Sequence, residues 1–203
     1  MKSIRAELRT IASWIKPGSR VLDLGCGNGE LLSYLQENYQ VTGYGIEIEQ
    51  SNIVTSIQNN INVIQADIEQ GLTGFEDNSF DYVIMTQTIQ ALRNTDEILK
   101  EMLRVGREGI VTFPNFGHWQ SRLNIMLGHM PVTKALPNTW YNTPNIHLCT
   151  IKDFEDLCAD KNFKILQRSI VDRQHRSRIF NSFLPNLLGE MALYRIQKSV
   201  ANS

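Results

Sequence analysis

One segment constrains this chain more than any other: Val21-Leu22-Asp23-Leu24-Gly25-Cys26-Gly27-Asn28-Gly29-Glu30. An apolar run of β-type ends in glycines at every second position, and Glu30 to Glu37 then carries Leu31, Leu32 and Leu35 at helical spacing. A strand that turns sharply into a helix through such a loop is the opening unit of a layered α/β fold. The glycines let the backbone turn and let a ligand approach without a Cβ in the way. N–H groups at the helix start are expected to face an electron-rich ligand. A tight strand-to-helix turn would use the same glycines, so the loop alone does not establish a site.

The same alternation continues. A helix is expected over Ile4–Ile15, ended by Pro17-Gly18, with further strands at Gln40–Ile48, Val63–Ala66, Phe80–Thr86 and Gly109–Phe113. Helices are expected at Ser51–Asn59, Thr95–Val105 and Ile151–Lys161, the last with Thr150 as N-cap and Asp153 in its first turn. Strands at Phe163–Val171 and Ala192–Lys198 complete a mostly parallel seven-stranded sheet with helices on both faces. Residues from about 114 to 149 break the rhythm with aromatics, Asn, Pro and three of the four histidines. They are expected to form an inserted lid over the carboxyl edge of the sheet, within a single domain spanning residues 1–203.

Net charge is −1 with both signs mixed, which argues against a sequence-independent grip on nucleic acid and against an anionic membrane surface. The N-terminus lacks a signal-peptide core, and no apolar run reaches the roughly 18 residues of a membrane span. Cys26, Cys149 and Cys158 form no CxxC pair, which fits reduced thiols and a cytoplasmic location. His118, His129 and His147 lack metal-ligand spacing, so no metal is expected. Trp119, Trp140 and Tyr141 are expected to pack in the core or lid, with stacking on a ligand as the alternative. Arg173, His175, Arg176 and Arg178 precede an apolar run and could form either a solvated loop or a protein-docking patch.

The glycine spacing is G-x-G-x-G, not the dinucleotide pattern G-x-G-x-x-G. A carboxylate at Asp23 would repel a pyrophosphate and suits an ammonium or sulfonium ligand. With these features the chain resembles the class I S-adenosylmethionine (SAM)-dependent methyltransferases. The resemblance implies a Rossmann-like fold and a SAM (or S-adenosylhomocysteine) site built on Asp23, Gly25, Cys26, Gly27 and Gly29. It implies that Glu47, with Ile48 beside it, holds the ribose hydroxyls, that Asp67 accepts from the adenine amino group, and that Ile68 packs on the ring. The backbone from Met85 to Gln87, with Thr86, lines the methionine end. Many small-molecule members carry a Glu-His pair where this chain has Gln90 and Ala91, neither of which titrates near neutral pH. No catalytic residue is therefore assigned.

Longer strings narrow the match. Phe113-Pro114-Asn115-Phe116-Gly117-His118-Trp119, Met130-Pro131-Val132-Thr133 and Trp140-Tyr141-Asn142-Thr143-Pro144-Asn145-Ile146-His147-Leu148-Cys149 resemble the MetW family of bacterial methionine-biosynthesis proteins. That resemblance implies partnership with a MetX-type homoserine O-acyltransferase in O-succinyl- or O-acetylhomoserine formation. The chain has no G-x-S-x-G nucleophile elbow of its own, so the acyl chemistry would sit in the partner. Methyl transfer to a small acceptor is the alternative reading, and a scaffold with a vestigial pocket a third.

Overall fold

The computed structural model describes residues 4–133, 135–171 and 184–199. Along the chain run α1 (Ala6–Trp14), β1 (Arg20–Leu24), α2 (Glu30–Tyr39), β2 (Thr42–Glu47), α3 (Gln50–Gln58), β3 (Val63–Gln65) and β4 (Phe80–Thr86). They are followed by α4 (Thr95–Val105), β5 (Gly106–Pro114), α5 (Trp119–Met126), α6 (Ile151–Asp160), β6 (Phe163–Val171), α7 (Pro185–Leu188) and β7 (Met191–Lys198). Single 3₁₀ turns follow β3 at Ile68–Gln70 and β4 at Ile89–Ala91.

The seven strands form one sheet in the order β3-β2-β1-β4-β5-β7-β6. The first five are parallel, and β7 pairs antiparallel with both β5 and β6. The order reverses at β1, so the crevice beyond the carboxyl ends of β1 and its neighbours is where a doubly wound sheet binds ligands. The glycine loop stands at that switch point.

Period-two alternation divides the core into two layers. Leu22, Leu24, Val83, Met85, Val111 and Phe113 pack with α4 and α6 on one face. Val21, Tyr82, Ile84 and Ile110 pack with α1 and α2 on the other. Phe113, Phe154 and Tyr194 form an aromatic cluster with centroids 4.8–6.0 Å apart. Its Tyr194 hydroxyl donates to Glu155 at 2.7 Å, and Arg168 donates to the same oxygen.

Several boundaries differ from those expected, for local reasons. β5 begins at Gly106, directly where α4 ends. A Cβ there would lie 2.5 Å from Val83 Cγ2, so the helix enters the strand without a loop only because residue 106 is glycine. β2 starts at Thr42 because Gln40 caps α2 in the left-handed conformation, at φ 55°. Thr150 caps α6 as expected, and the cap is a full box, with Thr150 and Asp153 each satisfying the other's backbone N–H. The short helices α5 and α7 were not expected from the sequence.

Candidate functional site

β1 carries Asp23 on the same side as Val21, by alternation, one residue before the chain turns. The turn holds three glycines in the left-handed region, Gly25 at φ 74°, Gly27 at φ 56° and Gly29 at φ 76°. Each plays a different part. A Cβ on Gly25 would lie 2.7 Å from the Thr88 hydroxyl, and one on Gly29 would lie 2.9 Å from Ile61 Cγ1. A Cβ on Gly27 would meet nothing within 4 Å, so this is where the loop opens outward.

The amides of the loop itself, ahead of the helix start, are taken up within the protein. Gly25 and Cys26 both donate to Ile46 O, at 2.8 and 3.1 Å, Gly27 donates to Glu47 Oε2 at 2.8 Å, and Gly29 donates to Cys26 O. The first three of these N–H groups tie the loop to β2, and the fourth closes the turn on itself. What the loop presents is shape and the carboxylates beside it.

Glu47 ends β2 and is 7% exposed. Its Oε1 accepts from the N–H groups of Ile48 and Glu49 at 2.8 and 2.9 Å, and Oε2 accepts from Gly27 and, at 3.5 Å, from Asn52 Nδ2. A carboxylate has about four acceptor positions, so a diol bound here would share or displace the long Asn52 contact. Ile48, next to it, stands 63% exposed as a bare apolar surface.

Asp23 is 1% exposed, and its Oδ1 has no hydrogen-bond partner among the described residues. Burial, with a smaller contribution from Glu47, pushes its carboxyl up to about 7. A buried acid lacking a partner is costly, and a cationic group placed beside it would relieve that cost. Cys26 lies in the same negative surroundings. Burial first, then Asp23 and Glu47, raises its thiol to about 12.

Asp67 and Ile68 open the turn after β3. Asp67 Oδ1 accepts from Glu69 N at 2.9 Å, and Ile68 is buried in the core. Both line a cavity of about 290 Å³ together with Ile46, Leu72 and Phe75. Its far wall is held by Arg104, which donates to Leu72 O at 3.0 Å and Phe75 O at 2.9 Å while paired with Glu101 and Asp77. The slot is apolar with one carboxylate at its rim. These residues therefore offer a buried acid whose Oδ1 has no partner among the described residues and, separately, an apolar slot with one acceptor at its rim. At the end of β4, Thr86 is half-buried and Gln87 adopts φ 52°, its N–H donating to Thr112 O and Oγ1.

Sequence reasoning missed three contributors. Thr88, whose hydroxyl donates to Thr86 O at 3.1 Å, fills the space beside Gly25. Gln90 is buried, its Nε2 donates to Gln87 O at 2.7 Å, and its Oε1 has no partner among the described residues. Its main-chain oxygen also accepts from Ile146 and His147, pinning the 130–149 stretch against the turn after β4. Asn115, 2% exposed, donates to Asn186 O and Gly189 O and accepts from Gly117 N and Ile151 N. It joins β5, α6 and α7. Asn at a strand end was the only available signal for this.

Trp119, Trp140 and Tyr141 lie outside the buried core, at 45%, 72% and 73% exposed, and Trp140 meets Tyr141 edge-on at 5.6 Å within the 114–149 region. His118 is buried, with Nε2 4.0 Å from Glu190, and His147 Nε2 lies 3.2 Å from Arg93 O. Among the described residues no cluster of His, Cys, Asp or Glu could hold a metal, and no helix is long and apolar enough to cross a membrane. The Arg173, His175, Arg176 and Arg178 cluster lies outside the described residues.

An S-adenosylmethionine-dependent methyltransferase from Mesorhizobium loti superposes with a TM-score of 0.68 at 14% identity, covering 96% of this chain and 98% of that one. The [4+2]-cyclase SpnF superposes with a TM-score of 0.67 at 15% identity, covering 97% and 82%. The fold is thus that of class I methyltransferases, and it also hosts chemistry named for cyclisation, so fold does not fix activity. The bifunctional methionine biosynthesis protein MetXA/MetW of Rhodopirellula baltica is 37% identical over 201 residues. That match covers 94% of this chain but only 32% of the relative's length. The family described as methionine biosynthesis protein MetW matches residues 5–196, and the chain belongs to that family.

Proposed function

We propose that this protein is a SAM-binding subunit that works with a MetX-type homoserine O-acyltransferase in O-succinyl- or O-acetylhomoserine formation. One observation carries the partnership: in the Rhodopirellula baltica relative, MetXA and MetW share one polypeptide. Fusion keeps two proteins at high effective concentration, which benefits pairs that act together.

SAM, when bound, supplies a sulfonium centre and an amino acid end, both cationic at the ammonium and sulfur. Asp23 would face that charge and become ionised by it, and Glu47 would orient the sugar beside Ile48. Asp67 and Ile68 would hold the base in the slot that Arg104 braces. Gln90 and Ala91 stand where many small-molecule methyltransferases carry a Glu-His pair, and neither can take a proton near neutral pH. That favours a binding role over methyl transfer to a hydroxyl. Coupling to the partner requires that SAM prefer one state of the complex.

The test mixes this protein with the acyltransferase of the same host and titrates SAM. Calorimetry is expected to show SAM binding to this chain, and acyltransferase activity is expected to change with SAM. Unchanged activity across saturating SAM removes the coupling. Release of S-adenosylhomocysteine on adding a metabolite would establish the methyltransferase alternative instead.

A further inference from the structure

The surface around α5 has its amphipathicity reversed. On α5 the buried residue is Ser121, while Trp119, Leu123, Ile125 and Met126 are 45–82% exposed. A surface helix ordinarily turns its apolar stripe to the core. The exposed apolar surface continues through Leu127, 66% exposed, into a groove of about 170 Å³ lined by Met130, Trp140, Ile146 and Leu148. Those four lining side chains are themselves 44–72% exposed. Contiguous apolar surface of this kind marks an interface.

Its charge is one-sided too. Between Glu108 and Asp153 the sequence has no Asp or Glu, although the whole chain has 21 among 203 residues. Among its described residues the same stretch carries the exposed Arg122 and Lys152. A segment with exposed Trp, Tyr and Met, and with cations but no carboxylate of its own, fits a partner face that is apolar at its centre and acidic at its rim.

We propose that α5 and the 130–148 groove form the docking surface for the acyltransferase partner. This rests on the partnership argued above and names the face that makes it. The fused relative identifies the occupant: a protein of MetXA type is tied to a homologue of this chain there. The surface also adjoins the site. Ile146 and His147 donate to Gln90 O at 2.8 and 2.9 Å, and Gln90 in turn binds Gln87 O at the end of β4. A partner seated on the groove therefore presses on the segment that lies against the end of β4.

The experiment compares wild type with the double variant Leu123→Asp/Met126→Asp and, separately, Trp140→Ala, using the full chain and the purified acyltransferase of the same host. Calorimetric affinity for the acyltransferase and for SAM, and the mass of each protein in solution, are read together. All three residues are exposed, so unchanged thermal midpoint and SAM affinity are expected. Acyltransferase affinity is expected to fall at least tenfold in both variants. The salt-independent part of the loss is expected to be largest for Leu123→Asp/Met126→Asp. Wild-type binding with undiminished variant binding overturns the surface while leaving the partnership intact. No binding by wild type overturns the partnership itself. A wild-type dimer that the variants convert to monomer, with acyltransferase affinity unchanged, assigns the surface to self-association and overturns the proposal. Should the double variant fail to fold, Arg122→Glu reads the same surface through charge, and retention of full affinity there and in Trp140→Ala overturns it.

Discussion

The backbone N–H of Gly27 donates to Glu47 Oε2 at 2.8 Å, which ties the middle of the glycine loop to the end of β2. The carboxylate thus shapes the loop in addition to any contact with a ligand. Glu47→Ala leaves the N–H groups of Gly27, Ile48 and Glu49 without their acceptor. Ile48 and Glu49 are exposed and can turn to water, so the total loss stays near about 1–3 kcal/mol, the cost of one unsatisfied buried group. A thermal midpoint lower by several degrees is expected, with SAM affinity down at least tenfold. Glu47→Gln is expected to lose less stability, because its amide oxygen still accepts.

Asp23 gives the protein a pH dependence of unusual sign for a carboxyl. Its native value of about 7 lies above the ordinary 3.8. Between those values the native state keeps a proton that the unfolded state has released, so stability falls as pH rises from about 4 to 7 and is level above. Urea titrations of the unliganded protein at pH 5 and 7.5 are expected to show this slope, and Asp23→Asn to flatten it. A cationic ligand needs the ionised acid, so SAM affinity is expected to rise over the same interval in wild type and not in Asp23→Asn.

Two glycines in one loop are expected to respond differently. Gly25→Ala places a Cβ against Thr88 Oγ1 and in a strained φ, disturbing the turn after β4. Gly27→Ala meets open space and bears only the left-handed penalty of roughly 1–2 kcal/mol. Melting curves and SAM titrations of both variants check this. Gly25→Ala is expected to lose binding through distortion, and Gly27→Ala through a methyl group standing in the cradle.

Arg104 braces the wall of the cavity beneath Asp67. Arg104→Met preserves the aliphatic stem and removes the guanidinium bonds to Leu72 O, Phe75 O, Glu101 and Asp77. Charge-assisted hydrogen bonds are each worth about 1.5–3 kcal/mol when fully buried and less when half-exposed. A net loss of roughly 2 kcal/mol is expected, with hydrogen exchange accelerated at residues 72–77.

The three thiols are expected to be inert. Burial is the main cause that lifts Cys26, Cys149 and Cys158 to about 12. The thiolate is the nucleophile, so at pH 8 alkylation of the native protein is expected to run roughly a thousandfold slower than in denaturant. A fast-reacting cysteine, located by mass spectrometry, would contradict the burial described.

Local chemistry determined the larger part of this molecule in advance. Alternating apolar runs specified the strands, the Thr150–Asp153 pair specified a helix start, and the spacing of Gly25, Gly27 and Gly29 behind Asp23 specified a turn at a sheet edge. These follow from periodicity and φ/ψ preference, which act over a few residues. The tertiary structure alone decided where the loop's N–H groups point, because Ile46 O and Glu47 arrive from a different strand some twenty residues away. It alone left Asp23 Oδ1 without a hydrogen-bond partner among the described residues, since burial depends on every element packed around it. It also placed Trp119, Trp140 and Tyr141 outside the buried core, a choice between core and lid that their local sequence left open. A side chain's surroundings are set by contacts distant in sequence, and no local pattern carries that information.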